Sequence, residues 1–267
     1  MEKRALPPAP PGVRADPRRL NRIAIVHEDD ALLVVAKPAG FAVHGGAGEK
    51  GPTVLELLQS AYDEPVALHL AHRLDRGTSG VLLLAKSSDA LRAIQAHWDQ
   101  AQKTYLAVAL GDYRGPTQID RPLPDERGVR RPASTRVRRH ALLRSLEPEA
   151  TLLELSIKSG RTHQIRLHLR DVGHPIAFDD RHGDFAGNKA LAQHLRAHHV
   201  RPPRKGELLL HAWQLELPAP LRDAPGTFTA ALPETWRAIL AISGAEPPIP
   251  ERILPTRAGG DPVGEAG

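Results

Sequence analysis

The sequence predicts an α+β fold built around an antiparallel or mixed β-sheet. Short helical patterns alternate irregularly with many short apolar segments, and no internal repeat is found. Of the 267 residues, 41% are apolar, which suffices for a large core, although only 4% are aromatic. The core must therefore consist mainly of Leu, Val, Ile and Ala.

Local patterns predict thirteen elements. Strands are expected where short apolar runs are bounded by polar residues, as in the hairpin split by residues 27–30. Helices are expected where apolar residues recur every three or four positions behind a capping residue such as Ser87 or Ser88. Gly173 suits a left-handed helix end, and Pro233 suits a first turn. The elements are strands at 23–26 and 32–36, a helix at 53–62, a strand at 81–85, a helix from 87 to about 102, strands at 105–110, 136–142 and 152–157, helices at 162–172 and 188–198, strands at 208–217 and 227–231, and a helix at 233–241.

The two ends of the sequence differ in composition from the middle. Residues 1–20 hold five prolines and few large apolar side chains, a composition that cannot offset its own ordering entropy. Residues 244–267 are rich in proline and glycine in the same way. We therefore expect a disordered leader or linker remnant at 1–20, one folded domain at 21–243 and a disordered tail at 244–267.

The charge distribution favours a polyanionic partner. The formal charge is +5, and 28 of the 36 basic residues are arginines, whose forked donors suit phosphates and base edges. Seven arginines, including Arg136 and Arg138, lie in the segment 127–144, which has no acidic residue, so the rest of the chain is net negative. This arginine-rich segment is either an electrostatic footprint for nucleic acid or a solvated edge strand that resists pairing.

Several chemistries are excluded by composition. Without cysteine there is no disulfide, thiolate nucleophile or Cys-ligated zinc, and the default compartment is the cytoplasm. The 14 histidines do not form a HExxH motif, and Gly45-Gly46 lacks the Gly-Lys-Ser/Thr ending of a phosphate loop. No apolar stretch approaches the roughly 18 residues of a membrane span. We expect no metal, no cofactor and no membrane contact.

The densest polar cluster is His-Arg-Leu-Asp-Arg-Gly-Thr-Ser-Gly at 72–80, between apolar residues 67–71 and 81–85. Polar side chains and glycines fixed between two core elements describe a rigidly held loop, and such loops often carry sites. Asp75 is either a reactive carboxylate or the partner of Arg73 or Arg76 in a structural turn. The residues alone leave both interpretations open.

A second cluster, Gly-Arg-Thr-His-Gln-Ile-Arg-Leu-His, occupies residues 160–168 at a strand-to-helix junction. Thr162 can cap the helix, and the free amides of its first turn together with Arg161 would suit an anion. His163 and Arg166 share one helix face, which is either functional or simply a solvated basic surface.

Together, the clusters at 72–80 and 160–168 resemble the two signature motifs of the pseudouridine synthase family, which modifies ribosomal and transfer RNA. The similarity spans about residues 23–240, and its details are most similar to the C-type branch that acts on large-subunit ribosomal RNA. Further matching blocks follow in order: Lys37-Pro38-Ala39-Gly40, Val43-His44-Gly45-Gly46, Lys103-Thr104-Tyr105, His174 to Arg181, and Leu210-His211-Ala212.

The resemblance implies a fold and a reaction. The fold is a central mixed or antiparallel sheet with flanking helices and an active-site cleft across the sheet. The reaction isomerises uridine in RNA to pseudouridine without a cofactor. Two alternatives stay open: the same chemistry on transfer RNA, and a non-catalytic RNA-binding factor in ribosome assembly. The sequence departs from the family in showing no N-terminal S4-type module and in having Gly77 where a polar residue is usual, from which we expect no loss of chemistry.

The resemblance also implies residue roles. Asp75 is the catalytic carboxylate, which adds to C1′ or removes the C2′ proton. An opposed Arg166 would keep Asp75 ionised and oriented. Tyr105 packs on the uracil and helps to remove the C5 proton, and Arg73 fills the stack vacated by the flipped base. We expect a cytoplasmic monomer with RNA as partner. The remaining expected RNA or substrate contacts are His72, Arg161, His163, Ile165, Leu210, Arg136 and Arg138.

Overall fold

A computed structural model describes residues 20, 22–45, 51–62, 66–218 and 226–246. These residues form twelve strands and five helices. The elements are β1 Ala24–Glu28, β2 Leu32–Lys37, α1 Val54–Gln59, β3 His69–Leu70, β4 Ser79–Ala85, α2 Ser88–Ala96, β5 Gln102–Leu110, β6 Gln118–Asp120, β7 Leu123–Pro124, β8 Arg130–Arg131, β9 Ser134–Leu143, β10 Ala150–Ile157, α3 Gln164–Asp171, α4 Phe185–Ala197, β11 Leu210–Leu217, β12 Gly226–Thr229 and α5 Glu234–Ile242.

One large mixed sheet organises the described residues. Its main path runs β1-β2-β4-β11-β5-β10-β9-β6, with β3 beside β4 and β12 beside β11. The β4–β11 pair is parallel, whereas the other pairs in this sheet are antiparallel. This architecture confirms the predicted α+β class, and the predicted hairpin is present as β1 and β2.

The sheet is covered on both faces, as the strand sequences require. In β4 every residue is buried, and alternate leucines enter different cores: Leu82 and Leu84 face α1 and α3, whereas Leu83 faces α2. Helices α4 and α5 pack on the same face as α2 but farther along the sheet. We call the side covered by α1 and α3 the first face, and the functional site lies there.

Helix boundaries follow their caps. Thr53 and Glu56 form a reciprocal capping box at the start of α1. The side chain of Asp184 accepts from the N–H groups of Ala186 and Gly187, so α4 begins three residues earlier than the sequence prediction. The predicted helix from 87 to about 102 was wrong at its end: α2 stops at Ala96, because Gln102 already pairs in β5.

The start of α3 also differs from the prediction. The helix begins at Gln164, and its N-cap residue is His163 in a left-handed conformation (φ 55°), with no side-chain cap. Thr162 therefore does not cap this helix. The predicted end was right, since Gly173 follows α3 with φ 84°.

The predicted disordered ends fall largely outside the described residues. Of residues 1–20 only Leu20 is described, and it is buried in the core on the first face. Of the predicted tail, only residues 244–246 are described. Among the described helices, none has the length and apolar content needed to span a bilayer.

Candidate active site

A cavity of about 520 Å³ opens on the first face, where the loop 73–78, β5 and the start of α3 meet. Its size is typical of a small-molecule site. The two motif clusters of the sequence thus form one pocket. Eight of the residues predicted for the site line it: Arg73, Asp75, Tyr105, Arg161, His163, Ile165, Arg166 and Leu210.

At the centre of the pocket, one guanidinium is hydrogen-bonded to two carboxylates. Arg166 donates from Nη1 to Asp75 Oδ2 at 2.9 Å, and from Nε and Nη2 to the two carboxylate oxygens of Asp179 at 2.7 and 2.8 Å. The Asp179 side chain is only 1% exposed, whereas that of Asp75 is 26% exposed. Asp179 therefore fixes the guanidinium from its buried side, and Asp75 presents its carboxylate to the cavity.

The charges of Arg166 and its carboxylate partners stabilise one another. Burial alone would raise the pKa of Asp179, but hydrogen bonds from Arg166 and from the His182 backbone, together with the Arg166 charge, hold it below its usual value. Burial opposes the charge of Arg166, yet the two carboxylates raise the pKa of this guanidinium. Asp179 and Arg166 are therefore charged at neutral pH, and the hydrogen bonds fix the orientation of all three side chains.

The loop of residues 73–78, which carries Asp75, is positioned by the parallel pair of β4 and β11. Ser79 and Gly80 lie beside His211 and Ala212, and Ser79 Oγ is 2.8 Å from His211 Nδ1. Gly80 has φ 117°, and a Cβ there would lie 2.1 Å from the carbonyl oxygen of Ala212. Only glycine fits this position. The Thr-Ser-Gly end of the motif is therefore needed to join the loop to the sheet.

A buried lysine holds the other side of the same loop. Lys37 is 1% exposed, and its Nζ donates to the carbonyl oxygens of Pro38, Phe41 and Arg76 at 3.1, 2.8 and 3.2 Å. Burial, assisted by the nearby Arg76 charge, lowers the pKa of Lys37 to about 7. The ammonium thus ties the residues after β2 to the residue that follows Asp75.

Tyr105 forms the apolar floor of the pocket. It lies on β5 opposite Ala212 of β11 and is 9% exposed. Burial and the charge of Asp75 raise the pKa of its phenol, which stays neutral at physiological pH. Ile165 and Leu210, both buried, complete the wall.

A pair of histidines lies beside the Asp75 oxygen that accepts from Arg166. His163 Nε2 is 3.8 Å from Asp75 Oδ2, and His163 Nδ1 is 2.8 Å from His182 Nε2. Burial lowers the pKa of both rings, and the Arg166 charge adds to this effect; at His163 the Asp75 charge opposes it. The left-handed backbone of His163, uncommon for a residue with a side chain, is what places its ring in the pocket.

Three residues predicted to contact RNA lie elsewhere. His72 does not line the pocket: its ring stacks on Trp98, and its Nε2 accepts from the Leu83 N–H at 3.1 Å. Burial lowers the pKa of His72 to about 4, so the ring is neutral and supports the loop from behind. Arg136 and Arg138 lie on β9, two strands away from β5.

The arginine-rich segment is partly neutralised by nearby acids. Arg131, Arg138 and Arg139 form ion pairs with Asp125, Glu154 and Asp112. The segment is also not simply an edge strand, because β9 pairs with β10 along its length and with β6 at its first residues. Its net field is therefore weaker than the sequence count suggests.

Sequence reasoning missed several residues of the pocket. Asp179 was noted only as part of a matching block, although it binds Arg166 directly. Arg181 lines the mouth, and His182 supports His163. The available signal was the dense polar run at 179–182, directly after an apolar segment, but its partners are distant in sequence.

The fold and the pocket together define a class of protein: an α+β protein with an oriented carboxylate in a cleft on a mixed sheet, bordered by arginines. The family model for RNA pseudouridylate synthase matches residues 31–171, and the chain belongs to this family. It is therefore an isomerase acting on uridines in RNA, rather than a non-catalytic assembly factor.

Curated relatives and a solved structure agree with this assignment. Ribosomal large subunit pseudouridine synthase C of Vibrio vulnificus is 37% identical over 238 residues, covering 83% of this chain and 71% of that protein. The tRNA pseudouridine synthase C of Salmonella typhi is 34% identical over 244 residues, covering 83% and 90%. The structure of human RNA pseudouridylate synthase domain containing 4 superposes with a TM-score of 0.67 at 25% identity, covering 87% of this chain and 97% of that one.

Proposed function

We propose that this chain converts specific uridines of large-subunit ribosomal RNA, free or in a precursor particle, to pseudouridine. The observation that carries the proposal is the carboxylate of Asp75, oriented by Arg166 and partly open to the cavity. The choice of ribosomal RNA is supported by the name of the Vibrio vulnificus relative. The enzyme would act in the cytoplasm, as a monomer.

In this reaction the bond between C1′ and N1 breaks, the uracil turns, and C1′ bonds to C5. The C5 proton leaves to water, and N1 gains a proton, so the product is an isomer of the substrate. Asp75 starts the reaction either by adding to C1′ or by removing the C2′ proton, both of which need an ionised carboxylate. Arg166 donates a hydrogen bond to that carboxylate and fixes its orientation.

The uracil would lie between the apolar walls of the pocket. Tyr105, Ile165 and Leu210 provide flat or branched surfaces around the same space. Because the phenol of Tyr105 is neutral, we assign it to packing on the base and to guiding the C5 proton, rather than to acting as a free phenolate.

The mouth of the pocket is suited to a flipped nucleotide. Arg73, Arg161 and Arg181 line it, and all three are exposed. Their side chains form no hydrogen bond or ion pair with other described residues. We propose that Arg73 occupies the stack left by the flipped base, whereas Arg161 and Arg181 bind the adjacent phosphates.

The same chemistry on transfer RNA is a second candidate. The observation that favours it is the similarity to the tRNA pseudouridine synthase C of Salmonella typhi, which is 34% identical over 244 residues. Both candidates use the same pocket.

The two candidates are separated by tritium release. The protein is incubated with C5-tritiated large-subunit ribosomal RNA or with C5-tritiated transfer RNA, because isomerisation frees the label to water. We expect release from the ribosomal RNA. Release from transfer RNA alone would establish the second candidate, and no release from either would refute the isomerase reaction. Mapping modified uridines in a strain lacking the gene then identifies the position.

A further inference from the structure

Residues 73–78, which we call the catalytic loop because they carry Asp75, lie against a second segment that the chemistry above does not use. We call residues 204–208, directly before β11, the basic turn. Its Leu208 N–H donates to the carbonyl oxygen of Gly77 at 3.2 Å, and its Gly206 N–H donates to Asp180 Oδ2 at 2.8 Å. Gly206 and Leu208 both line the cavity. The basic turn is therefore part of the rim beside Asp75.

This contact depends on the absence of a side chain at Gly77. A Cβ at Gly77 would lie 2.2 Å from Leu208 Cδ2 and 2.5 Å from the carbonyl oxygen of Gly206. Separations below 3.0 Å are essentially never found for real Cβ atoms. Because the Gly206 carbonyl is part of the backbone, this contact cannot be relieved by rotating a side chain. Any other residue at position 77 would push the basic turn away from the catalytic loop.

The basic turn is closed internally and presents its cations outward. Arg204 N–H donates to Glu207 Oε2 at 3.1 Å, and Glu207 N–H donates to the Arg204 carbonyl at 2.9 Å. The side chains of Arg204 and Lys205 are exposed and make no hydrogen bond or ion pair within the described parts of the chain. This differs from Arg131, Arg138 and Arg139, whose charges are paired.

We propose that the basic turn is a second RNA-binding surface, which holds phosphates of the strand next to the flipped uridine through Arg204 and Lys205. Gly77 is then a positioning residue, because its missing side chain lets this surface lie against the catalytic loop. The inference rests on the proposed function. Phosphate contacts of this kind set the register of a strand rather than read its bases.

The charges are tested with the double variant Arg204→Ala/Lys205→Ala in the full chain, using a large-subunit ribosomal RNA transcript. We expect Kd and KM to rise about tenfold, with kcat changing much less. The slope of log K against log salt should fall by about 0.7 for each phosphate contact that is lost. The matched control, Arg92→Ala/Arg196→Ala, removes two exposed cations from α2 and α4 on the opposite face of the sheet and should bind like wild type.

The positioning role is tested with Gly77→Ala, alone and combined with the charge variant. Because Gly77→Ala displaces the basic turn, we expect it to weaken RNA binding, and we expect removal of the two charges in that background to add little. A purely structural role of Gly77 predicts additive losses instead. Gly45→Ala, at a glycine with open space, is the control.

The outcomes separate this inference from the proposed function. If wild type releases tritium but the charge variant keeps the wild-type Kd and salt slope, the RNA-binding surface is refuted. If wild type releases no tritium from any RNA, the proposed function itself fails. Should Gly77→Ala not fold, the charge variant still decides the inference.

Discussion

Two arginine-containing regions of this molecule carry their charge in opposite ways. Arg166 is buried between Asp75 and Asp179 with three hydrogen bonds at 2.7–2.9 Å. The arginines of the segment 127–144 are exposed, and their ion pairs lie at the surface. Composition singles out the second region, yet the first one lies at the centre of the pocket. A high local number of arginines in the sequence is therefore a poorer guide to the functional site than the burial and hydrogen bonding of a single arginine in the fold.

The strongest test of this comparison is Asp75→Asn. The amide keeps the shape but can neither add to C1′ nor accept a proton, so we expect tritium release to fall by at least about 10³-fold with RNA binding nearly unchanged. Carbodiimide-dependent reverse-transcription stops report the product independently. Asp89→Asn, an exposed carboxylate on α2, is the control. A purified Asp75→Asn protein that still forms pseudouridine would refute the assignment.

The next test replaces an arginine by lysine in each region. Arg166→Lys keeps the charge but loses the forked contact with Asp179, so we expect roughly 2–3 kcal/mol less stability and about 10²-fold less activity. Arg138→Lys, in an exposed pair with Glu154, should cost less than about 1 kcal/mol. Denaturant unfolding and tritium release measure both. Equal losses in the two variants would contradict the comparison.

A third test uses histidines and pH. His211 is 1% exposed, and burial lowers its pKa from 6.5 to about 4. Between these values the unfolded chain binds a proton that the folded chain does not, so this group makes stability fall as pH drops through that window. The expected contribution is about 1–3 kcal/mol. His211→Gln should flatten the dependence of the unfolding free energy on pH. His140→Gln, at an exposed position on β9, is the control for the substitution itself.

The smallest effects are expected within the arginine-rich segment itself. Arg136 is exposed and has no side-chain partner in the described chain, so Arg136→Ala should weaken RNA binding about two- to fivefold and reduce its salt dependence. Arg138 is already paired with Glu154, and Arg138→Ala should change affinity less than about twofold. Filter binding at several salt concentrations measures both. An equal loss would mean that the ion pair opens on binding.

Local sequence determined most of the elements of this protein. The β1–β2 hairpin, the buried strand β4, the Thr53 cap and the Gly173 helix end all depend on residues within a few positions of one another. Such features follow from propensity and periodicity, because their partners are neighbours in the chain. The resemblance to a family also pointed to Asp75, Tyr105 and Arg166, and the structure places all three in one pocket.

The tertiary structure decided how these residues act. Asp75 and Arg166 are 91 positions apart. They meet because only β11 lies between β4 and β5 in the sheet, so the loop that precedes β4 lies in the same pocket as the start of α3. The tertiary structure also decides the role of other polar residues. Asp179 is buried against Arg166, and His72 bonds to the Leu83 backbone outside the cavity. Arg204 and Lys205 stay exposed on the basic turn. Long-range pairing and desolvation depend on the whole sheet, so no local pattern contains them.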